Sequence, residues 1–130
     1  KSKQQLLSEN CVIKGKRIKR NLFDYFFTLG MSALTFCFFQ IKLNDINAQP
    51  KIFKKSFIDK LKESPNDFSF DLYFLLIAKK EKFKIYEYPV VWNKRYAGEA
   101  KGGDSIGLKI KLTMRTLKFM IKLLQSPKWN

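Results

Sequence analysis

Phe23, Phe27, Gly30, Leu34 and Phe38 fall three or four residues apart, the spacing that places side chains on one face of an α-helix. Asn21 stands ahead of them as a candidate N-cap, with Asp24 near the helix's positive end. A helix is therefore expected over 21–40. Within it, Tyr25 to Ile41 runs 17 residues without a charge, the lower edge of what crosses a bilayer. The interleaved Thr28, Gly30, Ser32, Thr35 and Gln40 favour a helix that is buried, or lies in an interface, over one that spans. A second mostly apolar run, Phe68 to Lys80 (FSFDLYFLLIAKK), predicts a buried helix after the turn Ser64-Pro65-Asn66-Asp67.

The third helical pattern is of another kind. Over 106–124, Ile110, Met114, Leu117, Ile121 and Leu124 make an apolar stripe, and Lys111, Arg115, Lys118 and Lys122 a cationic one. That is a cationic amphipathic helix, suited to an anionic membrane surface. Between the helices, Cys11-Val12-Ile13 reads as a short buried strand and Lys14 to Arg20 (KGKRIKR) as a basic loop around Gly15. Residues 42–54 read as extended or looped, since Pro50 biases Gln49 away from helix, and Ser56 to Leu61 as a short helix. Lys84 to Trp92 (KIYEYPVVW) reads as a strand, which Pro89 confines to an edge, a bulge or an end. Residues 3–9 read as the end of a helix and 93–105 as a polar loop.

Composition sharpens this picture. The 130 residues suit one small domain or part of a larger one, and 45% hydrophobic content is enough for a core. The net charge of +15 attracts polyanions such as nucleic acid, anionic lipid or phosphorylated substrates. Seven cations and one acid crowd residues 1–20, and the same numbers recur in 101–130. There is no His, which excludes a His-based triad and the commonest zinc ligand. Cys11 and Cys37 are expected as free thiols, with Cys37 buried in its apolar run. No secretory leader is visible, and a start without Met fits a fragment better than a complete protein.

Four clusters carry candidate chemistry. Lys14, Lys16, Arg17, Lys19 and Arg20 surround a Gly, a pattern that can hold a phosphate or simply be a solvated loop. Asp45, Gln49 and Lys51 sit within seven residues and could meet a sugar, with Asp45 taking a proton or orienting a phosphate nucleophile; an Asx-type turn explains the same residues. Arg95 and Lys101 flank Gly98 in a loop able to close on a phosphate, or in an ordinary connection. Asp71 reads better as a helix N-terminal acid than as a catalytic one. No phosphate-binding Gly-rich loop and no Asp-x-Asp is present.

Taken in order, KGKR, FFTLGMS, DINAQPKIF, DFSFDLYFLLIAKK and KIYEYPVVWNKRYAGEAKGG resemble the C-terminal half of family 2 glycosyltransferases of the dolichol-phosphate mannosyltransferase-like kind. The resemblance covers about residues 10–105, and its DINAQPK and PVVWNKRYAGEAK segments are its more specific parts. It implies an α/β chain, an incomplete GT-A-type mixed sheet with flanking helices. Residues 1–105 would be the C-terminal part of the catalytic domain and 106–130 an amphipathic membrane-interface helix. It implies sugar transfer from a nucleotide sugar to a membrane-linked acceptor such as polyprenyl phosphate, at the cytoplasmic face of a membrane, in cell-surface polysaccharide or glycolipid synthesis. Mg²⁺ or Mn²⁺ is implied for the complete enzyme, held by an Asp-x-Asp in a half this chain lacks, so the chain alone is expected to be inactive and to bind no metal.

Carried onto this sequence, Asp45 looks like the active-site acid. Lys16, Arg17 and Arg20 look like acceptor-phosphate contacts, Gln49 and Lys51 like lining of that pocket, and Arg95 and Lys101 like further phosphate contacts. Ala100 stands where the family often has Ser. The competing reading is a non-enzymatic basic module binding nucleic acid or anionic membrane. Nucleic acid is not the expected partner, because the aromatics gather in apolar helices instead of alternating with cations on an exposed sheet.

Overall fold

The structure, a computed structural model, describes residues 10–20, 22–91 and 105–129. In chain order they form β1 (Cys11–Ile18), α1 (Leu22–Phe39), β2 (Lys51–Phe53), a 3-10 helix (Lys55–Leu61), α2 (Phe70–Lys80), β3 (Lys84–Val91) and α3 (Ile106–Leu124). The described residues thus make a mixed α/β unit of three strands and four helices. The expected helix end at 3–9, the Asn21 cap and the loop beyond residue 92, with Arg95 and Lys101, lie outside them.

The sheet order is β2-β1-β3. β1 pairs antiparallel with β2 and parallel with β3, in a register running from Cys11 opposite Lys84 to Ile18 opposite Val91. Pro89 sits on β3, at the edge of this sheet, where a residue without an N–H is tolerated. The basic segment expected as a loop is instead the second half of β1, which continues through Ile18. Three closely spaced cations remain extended there because β3 binds them along one whole edge. The chain turns only at Lys19, whose φ is 57°.

α2 is the central element. Seven consecutive residues, Leu72 to Ala78, are buried, as befits a helix that is apolar all round. Phe53, Phe57, Phe74 and Phe83 stack around it with ring centroids 4.8–5.8 Å apart, tilted or edge-to-face pairings that contribute about 0.5–1.5 kcal/mol each beyond area burial. α3 joins the same core through Met120 and Leu123.

One expectation about a face fails. Cys37 is exposed, not buried, because α1 turns Met31, Thr35 and Phe39 inward. The core face of α3 is a different set from the apolar stripe read for a membrane surface. Thr116, Met120 and Leu123 supply it, while Ile110, Met114 and Ile121 stay exposed.

Candidate functional site

The site forms where the end of β1 meets the loop after α1. Lys14, on β1, is 1% exposed. Its ammonium donates to the carbonyls of Asn44 at 2.7 Å, Asp45 at 3.2 Å and Gly15 at 3.3 Å, and pairs with Glu87 of β3 at 3.2 Å. A buried cation with this set of acceptors pins the loop to the sheet. Next to it, Gly15 leaves room for that loop, since a Cβ there would stand 2.2 Å from the Gln49 carbonyl oxygen. The Gly15 N–H donates to the Pro50 carbonyl at 2.9 Å, and the Gln49–Pro50 peptide is cis.

Asp45, held at φ 41° and 7% exposed, presents its carboxylate to β1. The Arg17 backbone N–H donates to Oδ2 at 2.7 Å, its Nε donates to Oδ1 at 2.9 Å, and its Nη2 also bonds Oδ1. Arg20 Nη1 reaches Oδ1 at 3.4 Å and donates to Thr28 Oγ1 of α1 at 2.6 Å. Burial disfavours the ionised carboxylate, but the hydrogen bonds and charge of Arg17, with the charge of Arg20, outweigh it and hold Asp45 below the usual carboxylate range. Burial and the neighbouring Arg17 lower Arg20.

These residues face a groove of about 610 Å³, within the range of small-molecule sites. Lys16, Lys19, Arg17, Arg20 and Asp45 line its polar part; Leu22, Tyr25 and Leu29 of α1 line its apolar part. Lys16 is the solvated member, 54% exposed and 3.7 Å from Glu87.

The structure therefore brings together Asp45, Lys16, Arg17 and Arg20, four of the eight candidate residues. Gln49 and Lys51 are separated from that groove. Lys51 pairs with Asp71 of α2 at 2.6 Å and donates to the Ala48 carbonyl, and Gln49 donates to Asp71 at 3.1 Å. Burial lowers the Lys51 ammonium, with Asp71 working against that shift. Asp71 is thus the partner of the loop's amide and lysine, a role its sequence position did not reveal.

Lys14 belongs to the loop's support and not to an open phosphate cradle, and a cation in the alternating register of a strand is the only signal that could have marked it. Thr28 was also missed; its place one turn after Asp24 on the helix nearest KGKRIKR was the available hint.

Among the described residues no group of three His, Cys, Asp or Glu side chains converges, and both Asp45 oxygens are committed to arginine. These residues do not fit a divalent ion. Compared with protein-family models, with curated proteins and with solved structures, the chain gives no match.

Proposed function

We propose that this chain is the acceptor-side portion of a GT-A-type, inverting glycosyltransferase that moves a sugar from a nucleotide-sugar donor to a membrane-linked phosphate such as polyprenyl phosphate, at the cytoplasmic face of a membrane and in cell-surface polysaccharide or glycolipid synthesis. The observation that carries the reading is the groove in which Arg17 and Arg20, oriented by Asp45, stand beside an apolar wall of Leu22, Tyr25 and Leu29. An amphiphile with a phosphate head and a hydrocarbon tail matches both halves of that lining.

The chemistry assigns Asp45 an orienting role. A phosphate monoester is mostly dianionic at neutral pH, so its oxygen attacks without surrendering a proton. The acid that keeps two guanidiniums in place then serves better ionised, which its lowered pKa favours. In the displacement, the acceptor oxygen forms a bond to the anomeric carbon. The bond from that carbon to the nucleoside diphosphate breaks, and the diphosphate leaves with the electron pair. Arg17 and Arg20 hold the acceptor by charge-assisted hydrogen bonds, while the donor and any metal belong to a half of the fold outside this chain.

The test is binding of a short-chain polyprenyl phosphate, compared with the corresponding polyprenol, to the full chain in detergent micelles. The phosphate is expected to bind at least tenfold more tightly. Lys16→Ala and Arg20→Ala should each weaken it about tenfold, in keeping with roughly 1.5–3 kcal/mol for a charged hydrogen bond. Equal binding of alcohol and phosphate, or displacement by single-stranded nucleic acid, overturns the proposal.

A further inference from the structure

α1 is inside out for a helix on a protein in water. Its polar residues point into the molecule: Asp24 binds Lys109 of α3 at 2.6 Å, Thr28 accepts from Arg20, Ser32 lines the groove, and Thr35 is buried. Its outward face is Leu22, Phe26 and Phe36, with Tyr25 and Leu29 at its groove edge, all exposed. Soluble helices carry the opposite arrangement. The helix is long and apolar enough to cross a membrane, and only 11% of it is buried.

α3 completes the pattern. It runs beside α1 in the same direction. Asp24 meets Lys109 near the two N-termini, and Phe39 meets Trp129, just past α3, at the other end, with ring centroids 4.9 Å apart. Around α3, the core face is followed by an exposed apolar strip of Ile106, Ile110, Met114 and Ile121. About a third of a turn further round, at 3.6 residues per turn, stand the exposed Lys111, Arg115, Lys118 and Lys122.

Stepping at 3.6 residues per turn from each helix's contact with the other puts both apolar strips on the same side of the pair. The cations then lie on one flank. The groove residues Tyr25, Thr28, Leu29 and Ser32 lie on the opposite flank, on the side of α1 away from α3.

We infer that α1 and α3 form a two-helix raft that lies flat in an anionic phospholipid bilayer, with both apolar strips at the acyl boundary and both flanks at headgroup level. α1 does not span. Met31, Thr35 and Phe39 tie its second half to the body and Arg20 bonds Thr28 in its first half, and upright insertion would drag that body into hydrocarbon. Charge selects the partner: α3 has no acid, and its four flanking cations meet anionic headgroups, each contributing about 1 kcal/mol near such a surface. The inference rests on the acceptor reading in one respect, because it sets the mouth of the Arg17–Arg20 groove at the height of a lipid phosphate.

Nitroxide depth measurements on the full chain test it, in vesicles of phosphatidylcholine with phosphatidylglycerol. The exposed Cys37 is one label site; Phe26→Cys and Met114→Cys, each in a Cys37→Ser background, supply the others. All three labels should sit at one shallow depth, about 5–10 Å below the headgroups. A depth that changes by about 16 Å between positions 26 and 37, as 1.5 Å per residue demands of an upright helix, refutes the raft, and so do labels that stay in water. Paired reversal, Lys111→Glu with Lys118→Glu, should weaken vesicle binding at least tenfold; unchanged binding refutes the charge argument. Acceptor binding in micelles should survive that reversal, whereas Lys16→Ala should lose acceptor preference and keep the depth profile, so the two proposals fail separately.

Discussion

Replacing Gly15 with Ala tests the close packing on which the site's loop depends. The added methyl would stand 2.2 Å from the Gln49 carbonyl oxygen, 2.8 Å from its carbon and 3.0 Å from Val90 Cγ2. Backbone lies on one side and β3 on the other, so the loop must retreat by about an ångström. Overpacking of this kind costs about 1–3 kcal/mol, and losing the Gly15 N–H to Pro50 carbonyl bond costs about 1 kcal/mol more. Reduced freedom of the unfolded chain returns roughly 0.4–1 kcal/mol. The net destabilisation should be about 2–3 kcal/mol, which lowers a urea midpoint by roughly 1–2 M at the slopes usual for small proteins. Gly30→Ala is the matched control: a Cβ there meets nothing within 4 Å, so a mid-helix Ala should raise the midpoint by about 0.5–1 kcal/mol equivalent. If the two variants shift the midpoint alike, the close-approach argument is wrong.

Asp45→Asn should make stability less sensitive to acid. Since the folded carboxyl lies below its unfolded value, its stabilisation is complete above about pH 4 and is lost as pH falls through the folded value. Chemical denaturation should show wild type ahead at pH 7 and the gap closing as pH falls below about 4; a constant gap would refute the assignment. Lys14→Met should cost about 2–3 kcal/mol by urea unfolding, because it strands two loop carbonyls and the Glu87 charge. Lys16→Met, at a solvated position, should cost less than about 0.5 kcal/mol, and parity between the two would mean that Lys14 pins nothing.

The helices were legible because helical periodicity is local: the patterns at 21–40, 68–80 and 106–124 each hold an observed helix. What periodicity does not tell is which apolar face the core will take. α3 has two candidate faces, and the core took Thr116, Met120 and Leu123 in place of the longer stripe. The same gap misplaced Cys37. β1 was read too short because strand propensity is contextual: Lys16, Arg17 and Ile18 are extended on account of a partner more than 70 residues downstream.

In the site, the grouping of Asp45 with KGKR was legible only through the ordered resemblance. The pairing of Lys51 and Gln49 with Asp71 was not, since nothing local links a loop to a helix 20 residues away.

The parallel ladder between β1 and β3 has a consequence for synthesis. Arg17 faces Val90 across it, so the strand that presents the groove's cations gains its backing only after α1, β2 and α2 have been made. Closing so long an excursion is slow relative to local helix formation. While the chain emerges from the ribosome, α1 can form with its aromatic face bare well before any groove exists. On the raft and acceptor proposals, a nascent chain in that state would meet a membrane with its binding helix ready and its phosphate site unbuilt, so attachment would precede assembly of the site.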